Sequence, residues 1–156
     1  MQIRLFQPKD AAQIAQLFHN TVRKVNIQDY SAEQIIAWSS DNIYFRDWLA
    51  ICSSNFTYVA LENDKILGFG ELESNGHIDC FYIHDQHQRQ GIGSKIYQAI
   101  EIKAMQLGLT RLFTEASITA KPFFISRGFK IIHPQKVSCR GQILVNYLME
   151  KTIQAE

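Results

Sequence analysis

The sequence predicts an α/β sandwich, a single domain over residues 1–156 in which helices flank a mixed sheet. Three observations predict it. The first third of the chain repeats apolar residues at helical spacing. The middle switches to short apolar runs parted by Asn-Asp and Asn-Gly turns. A glycine-rich turn, Gly91-Ile92-Gly93, then joins the last of those runs to a second helical stretch. With 46% apolar residues, a chain of 156 can bury a real core.

Each element has its own signal. Residues 2–6 read as a first strand. Pro8 and Asp10 open an amphipathic helix whose stripe is Ile14, Leu17, Phe18, Val22 and Val25. Ser31 followed by Gln34 makes a capping box for a short helix carrying Ile35, Ile36 and Trp38. A further helical piece is expected over 43–51. Strands follow at 56–61, 66–73 and 77–83. Asn63-Asp64 and Asn75-Gly76 turn one into the next, so the three form an antiparallel meander. The glycine turn opens a helix that ends before Gly108. Residues 111–114 are a short strand. Residues 119–127 are a short helix, with Pro122 in its first turn and Gly128 closing it. Strands at 129–132 and 142–149 complete the order.

Composition excludes several classes. The formal charge is +1, from 16 Lys and Arg against 15 Asp and Glu, so there is no bulk attraction to nucleic acid or to an anionic membrane. Lys130, Lys136 and Arg140 read as a solvated rim rather than a binding patch. No stretch approaches the roughly 18–20 apolar residues that cross a bilayer. The start, Met1-Gln2-Ile3-Arg4-Leu5-Phe6, lacks a signal-peptide pattern, which makes the cytoplasm the expected location. Cys52, Cys80 and Cys139 are well separated, with no CxxC. They make neither a disulfide framework nor a zinc knuckle, and no metal is expected. Cys80 reads as a buried small hydrophobe.

The stretch His87-Gln88-Arg89-Gln90-Gly91-Ile92-Gly93-Ser94 carries the chemistry. A glycine-rich turn between strand and helix points unpaired backbone N–H groups at one spot, which suits a phosphate or pyrophosphate. Arg89 adds positive charge at the rim. The alternative is a tight turn whose glycines serve geometry alone. The turn follows a meander rather than a first strand, unlike a Rossmann unit, and it lacks the Gly-Lys-Ser/Thr of a P-loop.

Gln88-Arg89-Gln90-Gly91-Ile92-Gly93 matches Gln/Arg-x-x-Gly-x-Gly/Ala, the acyl-CoA pyrophosphate motif of the GCN5-related N-acetyltransferase (GNAT) superfamily, which the chain resembles. Ile78-Asp79-Cys80-Phe81-Tyr82-Ile83 resembles its fourth strand. Residues 120–129, ending in Gly128-Phe129, resemble its later short-helix motif. Residues 114–124, with Arg140-Gly141 and Asn146, are similar to a less characterised branch acting on small molecules or peptides. The resemblance spans nearly the whole chain, as one acyl-CoA N-acyltransferase domain. It implies a mixed, mostly antiparallel sheet splayed between strands four and five, with acetyl-CoA in the gap and CoA as product. It implies that the backbone of Phe81, Tyr82 and Ile83 holds the pantetheine arm and acetyl group. An N–H near Phe81 would meet the thioester oxygen. Backbone groups of Gln88, Arg89, Gln90, Gly91, Ile92, Gly93 and Ser94 would hold the pyrophosphate. Ser117, Lys121 and Phe124 complete the cofactor set by the same resemblance.

Acetyl transfer to an amine needs positioning and a base. The candidates are His77, Asp79 and Glu115. In an extended strand His77, Asp79 and Phe81 share a face unless a bulge intervenes. By resemblance His77 falls where histone-acetylating members carry their catalytic glutamate, and histidine titrates near neutral pH. Asp79 is a carboxylate in an otherwise apolar strand, and it serves as base, as amine-binding group or as a structural acceptor. Glu115 ends a short strand beside the same gap, or caps the helix that follows. The family's usual proton donor, a tyrosine on the last short helix, is Phe124 here, which cannot donate. Tyr82, Tyr97 and Tyr147 are the alternatives. Tyr30, Trp38, Phe45 and Trp48 form either a substrate wall or core. Asn146 is either a satisfied buried amide or a pocket contact.

The resulting reading is an acetyl-CoA-dependent N-acetyltransferase acting on a small-molecule or peptide amine. Its rival is an acyl-CoA-binding regulatory or interaction protein on the same scaffold. A homodimer and a monomer both remain open.

Overall fold

Two antiparallel sheets touch at one point and part from there. The first runs β1 (Gln2–Leu5), β2 (Phe56–Glu62), β3 (Lys65–Leu72) and β4 (Ile78–Ile83). The second runs β5 (Arg111–Ser117), β7 (Gln142–Thr152) and β6 (Lys130–Cys139), with β7 in the middle. Among the described residues five α-helices accompany them: α1 (Ala11–Lys24), α2 (Ala32–Trp38), α3 (Trp48–Ser54), α4 (Ile92–Gln106) and α5 (Lys121–Ser126). The computed structural model describes residues 1–154.

The sheets are layered between two apolar clusters. On one face α1, α2 and α3 bury Ile14, Phe18, Val22, Ile35, Trp48 and Cys52 against Val59, Phe69 and Cys80. On the other, α4 and α5 bury Ile92, Ile96, Ile100 and Phe124 against Leu72, Ile78, Leu112 and Met149. Local signals act as the sequence implies. Ser31 and Gln34 close a reciprocal capping box, at 3.1 and 2.8 Å, and start α2. Gly108 and Gly128 end α4 and α5 in the left-handed region.

The mixed character of the sheet is confined to a parallel bridge between His77 and Phe113. There Phe113 N–H donates to Gly76 O at 3.1 Å. Next to it Thr114 Oγ1 donates to Ile78 O at 2.8 Å. Past this junction β4 and β5 belong to different sheets and run in the same direction, so they diverge. Gly76 makes the contact possible. Its φ is +97°, and a Cβ there would stand 2.3 Å from Arg111 O.

Three expectations need correction. The helix expected over 43–51 begins only at Trp48. Asp47 caps it by accepting from Ala50 N–H at 3.1 Å, while Asn42 holds the preceding residues in a turn by accepting from Tyr44 N–H at 3.0 Å. The last two strands are longer than expected, because β6 continues through Pro134 to Cys139. Proline is tolerated there because β6 is an edge strand. Finally, β4 bulges. Gly70 pairs with Phe81 but Leu72 with Ile78, leaving one extra residue on β4. Ile78 and Phe81 therefore both face α4, while Cys80 and Tyr82 face α1. His77, Asp79 and Phe81 do not share one face.

The junction can be tested against a control. Gly108 also has positive φ, +77°, but open space around its Cβ direction. Gly108→Ala should cost only the left-handed penalty, about 1–2 kcal/mol. Gly76→Ala should cost clearly more, because a backbone carbonyl must also move. Urea midpoints at constant m-value measure both; equal losses would show that the Arg111 carbonyl yields freely.

Candidate active site

A cleft of about 1010 Å³ fills the gap between β4 and β5. The start of α4, the end of α1, α2 and the β6–β7 hairpin complete its walls.

At one end lies the glycine turn. Arg89 and Gly91 both have positive φ, 59° and 80°, and Gly91 caps α4 with no side-chain bond. The first bond of the helix is Lys95 N–H to Gly91 O at 3.3 Å. The N–H groups of Ile92, Gly93 and Ser94 lie ahead of it and face outward, a nest for an anion. Gln88 shapes this turn with its side chain. Its Nε2 donates to Ile83 O at 2.7 Å and His84 O at 3.3 Å. All seven residues from Gln88 to Ser94 line the cleft.

Next comes the open edge of β4. His84 N–H donates to Leu67 O on β3, at 2.8 Å. Ile83 O instead accepts from Thr21 Oγ1, at 2.9 Å, and from Gln88. Peptide groups alternate sides along a strand, so Phe81 turns its N–H to the cleft, as Ile83 does. The Phe81 ring packs against Phe123 and Phe124, with centroids 5.1 and 5.6 Å away. Phe124 is 2% exposed and forms core as well as cleft wall. Ser117 Oγ accepts from Ala120 N–H at 3.0 Å, tying the turn before α5, and it too lines the cleft. Lys121 does not; its ammonium sits 4.3 Å from the Tyr147 ring centroid. Of the three candidate phenols, Tyr82 lines the cleft. Tyr97 bonds to Glu101 and Lys151 on the far side of α4.

The acidic residues gather where β4 and β5 begin to part. Counting two residues from the bridge along each strand reaches Asp79 and Glu115, and both line the cleft. His77 lies outside it. Its ring is clamped between Glu73 and Glu115, one on each nitrogen, and stacks on Phe113 at 5.0 Å. Partial burial lowers its pKa, but hydrogen bonds to Glu115 and Glu73 outweigh that and raise it above the usual histidine value. With a carboxylate on each ring nitrogen, His77 braces Glu115 and has no free nitrogen to turn toward the cleft.

Sequence reading missed two residues here. Glu71 is fully buried in β3, and its Oε2 has no hydrogen-bond partner among the described residues. Cys52 Sγ donates to Oε1 at 3.3 Å. Burial, reinforced by nearby Asp79, pushes the Glu71 carboxyl up to about 7. The signal was a glutamate within the apolar run Leu67-Gly68-Phe69-Gly70-Glu71-Leu72. Arg46, in the irregular segment before α3, also lines the cleft. Its Nη1 donates to Cys80 Sγ at 3.6 Å. Glu71, Asp79 and Cys80 hold three potential metal-ligand atoms within 4.8 Å of one another, but the Arg46 guanidinium against that sulfur opposes a cation there.

One wall of the cleft is α2 and its approach. Tyr30 and Trp38 line the cleft, edge to face at 5.3 Å. The Tyr30 hydroxyl is committed, donating to Val145 O at 2.6 Å and accepting from Ile118 N–H at 2.9 Å. Gln34 Nε2 donates to Ile143 O at 2.7 Å. Arg140, at the tip of the β6–β7 hairpin, donates to Ala37 O at 2.6 Å and lies over Phe45. It is exposed, as expected of a rim residue, and it also closes the end of α2. Trp48 is core, 2% exposed. Asn146 lines the cleft with Oδ1 buried and unpartnered among the described residues, which fits a pocket contact.

Comparison with known proteins bears on this cleft. Residues 26–151 match the family described as Acetyltransferase (GNAT) domain. A protein of Escherichia coli (strain K12), described as "Uncharacterized N-acetyltransferase YafP", is 33% identical over 150 residues, covering 96% of this chain and 94% of that one. A crystal structure from Rhodopseudomonas palustris, described as "GCN5-Related N-acetyltransferase: Aminotransferase, Class-II", superposes with a TM-score of 0.91 at 31% identity, over 97% of this chain and 95% of that one. The PaiA N-acetyltransferase of Thermoplasma acidophilum, in complex with coenzyme A, shares the fold at a TM-score of 0.79 and 16% identity, over 97% and 98% of the chains.

Glu71 gives a pH test. Its folded pKa of about 7 exceeds the ordinary 4.5, so the folded state holds more protons between those values and stability falls as pH rises through them. Glu71→Gln lacks that penalty. Its stability relative to wild type should improve by up to about 3 kcal/mol between pH 4.5 and 8. Denaturant titrations across that range measure the gap; a constant gap would place Glu71 in a wetter site than its burial indicates.

Proposed function

The chain belongs to the GNAT acetyltransferase family, and on that premise we propose that it moves an acetyl group from acetyl-CoA to a primary amine by direct attack within a ternary complex. One observation carries this reading: a single cleft joins an outward-facing N–H nest, an open strand edge and a carboxylate clamped by an imidazole. Acetyl-CoA supplies the activated thioester carbon. The protein supplies the rest.

Ile92, Gly93 and Ser94 N–H groups take the diphosphate oxygens, with Arg89 at the rim. Phe81 N–H donates to the thioester oxygen, where it gains strength as negative charge develops. Asp79 holds the incoming ammonium. Glu115 takes the proton from the attacking nitrogen, and His77 acts as its positioning residue. With one proton gone to Glu115, the freed nitrogen lone pair bonds to the acetyl carbon, the carbon–sulfur bond breaks, its electron pair leaves on the CoA sulfur, and the nitrogen's second proton passes to water in the cleft. Phe124 offers that sulfur no proton. Tyr82 is the candidate phenol on the cleft, and burial keeps it protonated well above its usual range. Phe124 is also the one observation favouring the rival reading, an acyl-CoA-binding protein with weak catalysis.

Mass spectrometry of the purified protein for bound CoA, then thiol-release screening of amines, separates the two. The expected outcome is CoA binding with thiol release for at least one amine. Binding with no release from any amine supports the rival, and absence of CoA binding sinks both.

Two variants locate the parts. Gly91→Val should weaken CoA binding about tenfold or more in a folded protein, because valine resists the positive φ that aims the nest. Unchanged affinity by calorimetry would remove the nest from the site. Glu115→Gln should lower kcat by about 10²–10⁴-fold while leaving CoA affinity intact. Full turnover in that variant would move the base elsewhere.

A further inference from the structure

We propose that the acceptor carries its own anion: it is a compact amine bearing a carboxylate, held between Asp79 and Arg46. This names the second substrate of the acetyl transfer proposed above and rests on that reading.

Arg46 is the reason. Its guanidinium is half-buried, with the Trp48 and Phe18 ring centroids 5.3 and 5.8 Å away. Those rings fix it in place. Its contact with a protein acceptor is the sulfur of Cys80, at 3.6 Å. A guanidinium has five donors, and a thiol sulfur is a weak acceptor. Among the described residues Arg46 forms no ion pair, whereas Arg4, Arg23 and Arg111 each hold a carboxylate. A guanidinium held in place with most of its donors uncommitted is a ready fork for a carboxylate entering the cleft.

Asp79 supplies the opposite charge on the same wall. It is exposed, lines the cleft and forms no ion pair among the described residues. Glu71 on β3 lies close to it, Glu115 lines the same cleft, and the Arg46 charge reaches it from the segment before α3. Arg46 and Asp79 stand near each other without bonding.

The position along β4 sets which substrate they serve. Arg46 touches Cys80, ahead of Phe81, while the anion nest follows Ile83. Arg46 therefore lies on the opposite side of the acetyl position from the diphosphate. The other cations of the cleft stand toward the nest: Lys24 pairs with Asp85 at 3.7 Å, and Arg89 lies within the turn. A simple monoamine would leave Arg46 unpaired. A diamine would set a second cation against it. An amine with a carboxylate satisfies both groups.

The test uses matched pairs: free α- and ω-amino acids against their carboxamides, with CoA thiol release as the readout. At least one free acid should exceed its amide by about a hundredfold in kcat/KM, since a site built around a charged group rejects the analogue lacking it. Arg46→Met should bring that ratio near one. Arg46→Lys, which keeps charge but not the fork, should retain part of the preference. Acetyl-CoA affinity, measured calorimetrically, checks that each variant is folded. Amides used as well as acids, or a ratio untouched by Arg46→Met, overturns the proposal. If no probe turns over, the same pairs are titrated into CoA-loaded protein. Acid-selective binding lost in Arg46→Met still upholds the proposal. No such binding ends it, while acetyl-CoA affinity alone judges the acetyl-transfer reading.

Discussion

Everything in this molecule depends on two strands meeting at one bridge and then separating. β4 and β5 run the same way from the His77–Phe113 contact. Continued pairing would have consumed the backbone groups of both edges. Separation leaves them unpaired, and unpaired backbone groups inside a fold require a partner. The gap supplies a place for one. Gly76, by letting Arg111 O approach, and Thr114, by bonding Ile78 O, fasten the apex so that the strands part at a defined position. The bulge in β4 follows just past that apex and turns Phe81 toward α4 while Cys80 faces α1.

Charge is distributed along the gap in a consistent order. The backbone nest and Arg89 stand at the α4 end. Carboxylates stand at the apex, where Glu115 is held by His77 and Asp79 is open. His77 is thus a strut. Clamped between two carboxylates, it braces Glu115 from outside the cleft. The resemblance implies a catalytic glutamate at the position His77 occupies, and the carboxylate that His77 holds, Glu115, stands on the neighbouring strand. In the proposed reaction Glu115 takes over the base role from there.

Much of this was legible in the chain. The glycine turn, the meander with its Asn-Asp and Asn-Gly turns, and the Ser31–Gln34 cap are local signals, and local signals survive folding. What escaped had tertiary causes. β6 runs through His133-Pro134 because it lies at an edge, and edge position is a property of the sheet. The segment before Trp48 looks helical by spacing, yet Asn42 holds it in a turn and Asp47 caps α3, so the helix starts late. The bulge at Asp79 separates His77 from Phe81, and nothing in a six-residue strand announces it. Glu71 and Arg46 are far apart in sequence, and only folding sets both against Cys80.

The wall made by α2 and its approach, which faces the acceptor in the proposed reaction, is fastened along its length to one hairpin, through Tyr30 to Val145, Gln34 to Ile143 and Ala37 to Arg140. The nest at α4 has no part in those ties. Substitutions along the solvent side of that hairpin can therefore retune which amines are admitted without loosening the hold on the acyl carrier. On the proposed reading the scaffold thus separates a fixed handle from a replaceable mouth, and a change of acceptor has a mechanical route that leaves the donor end alone.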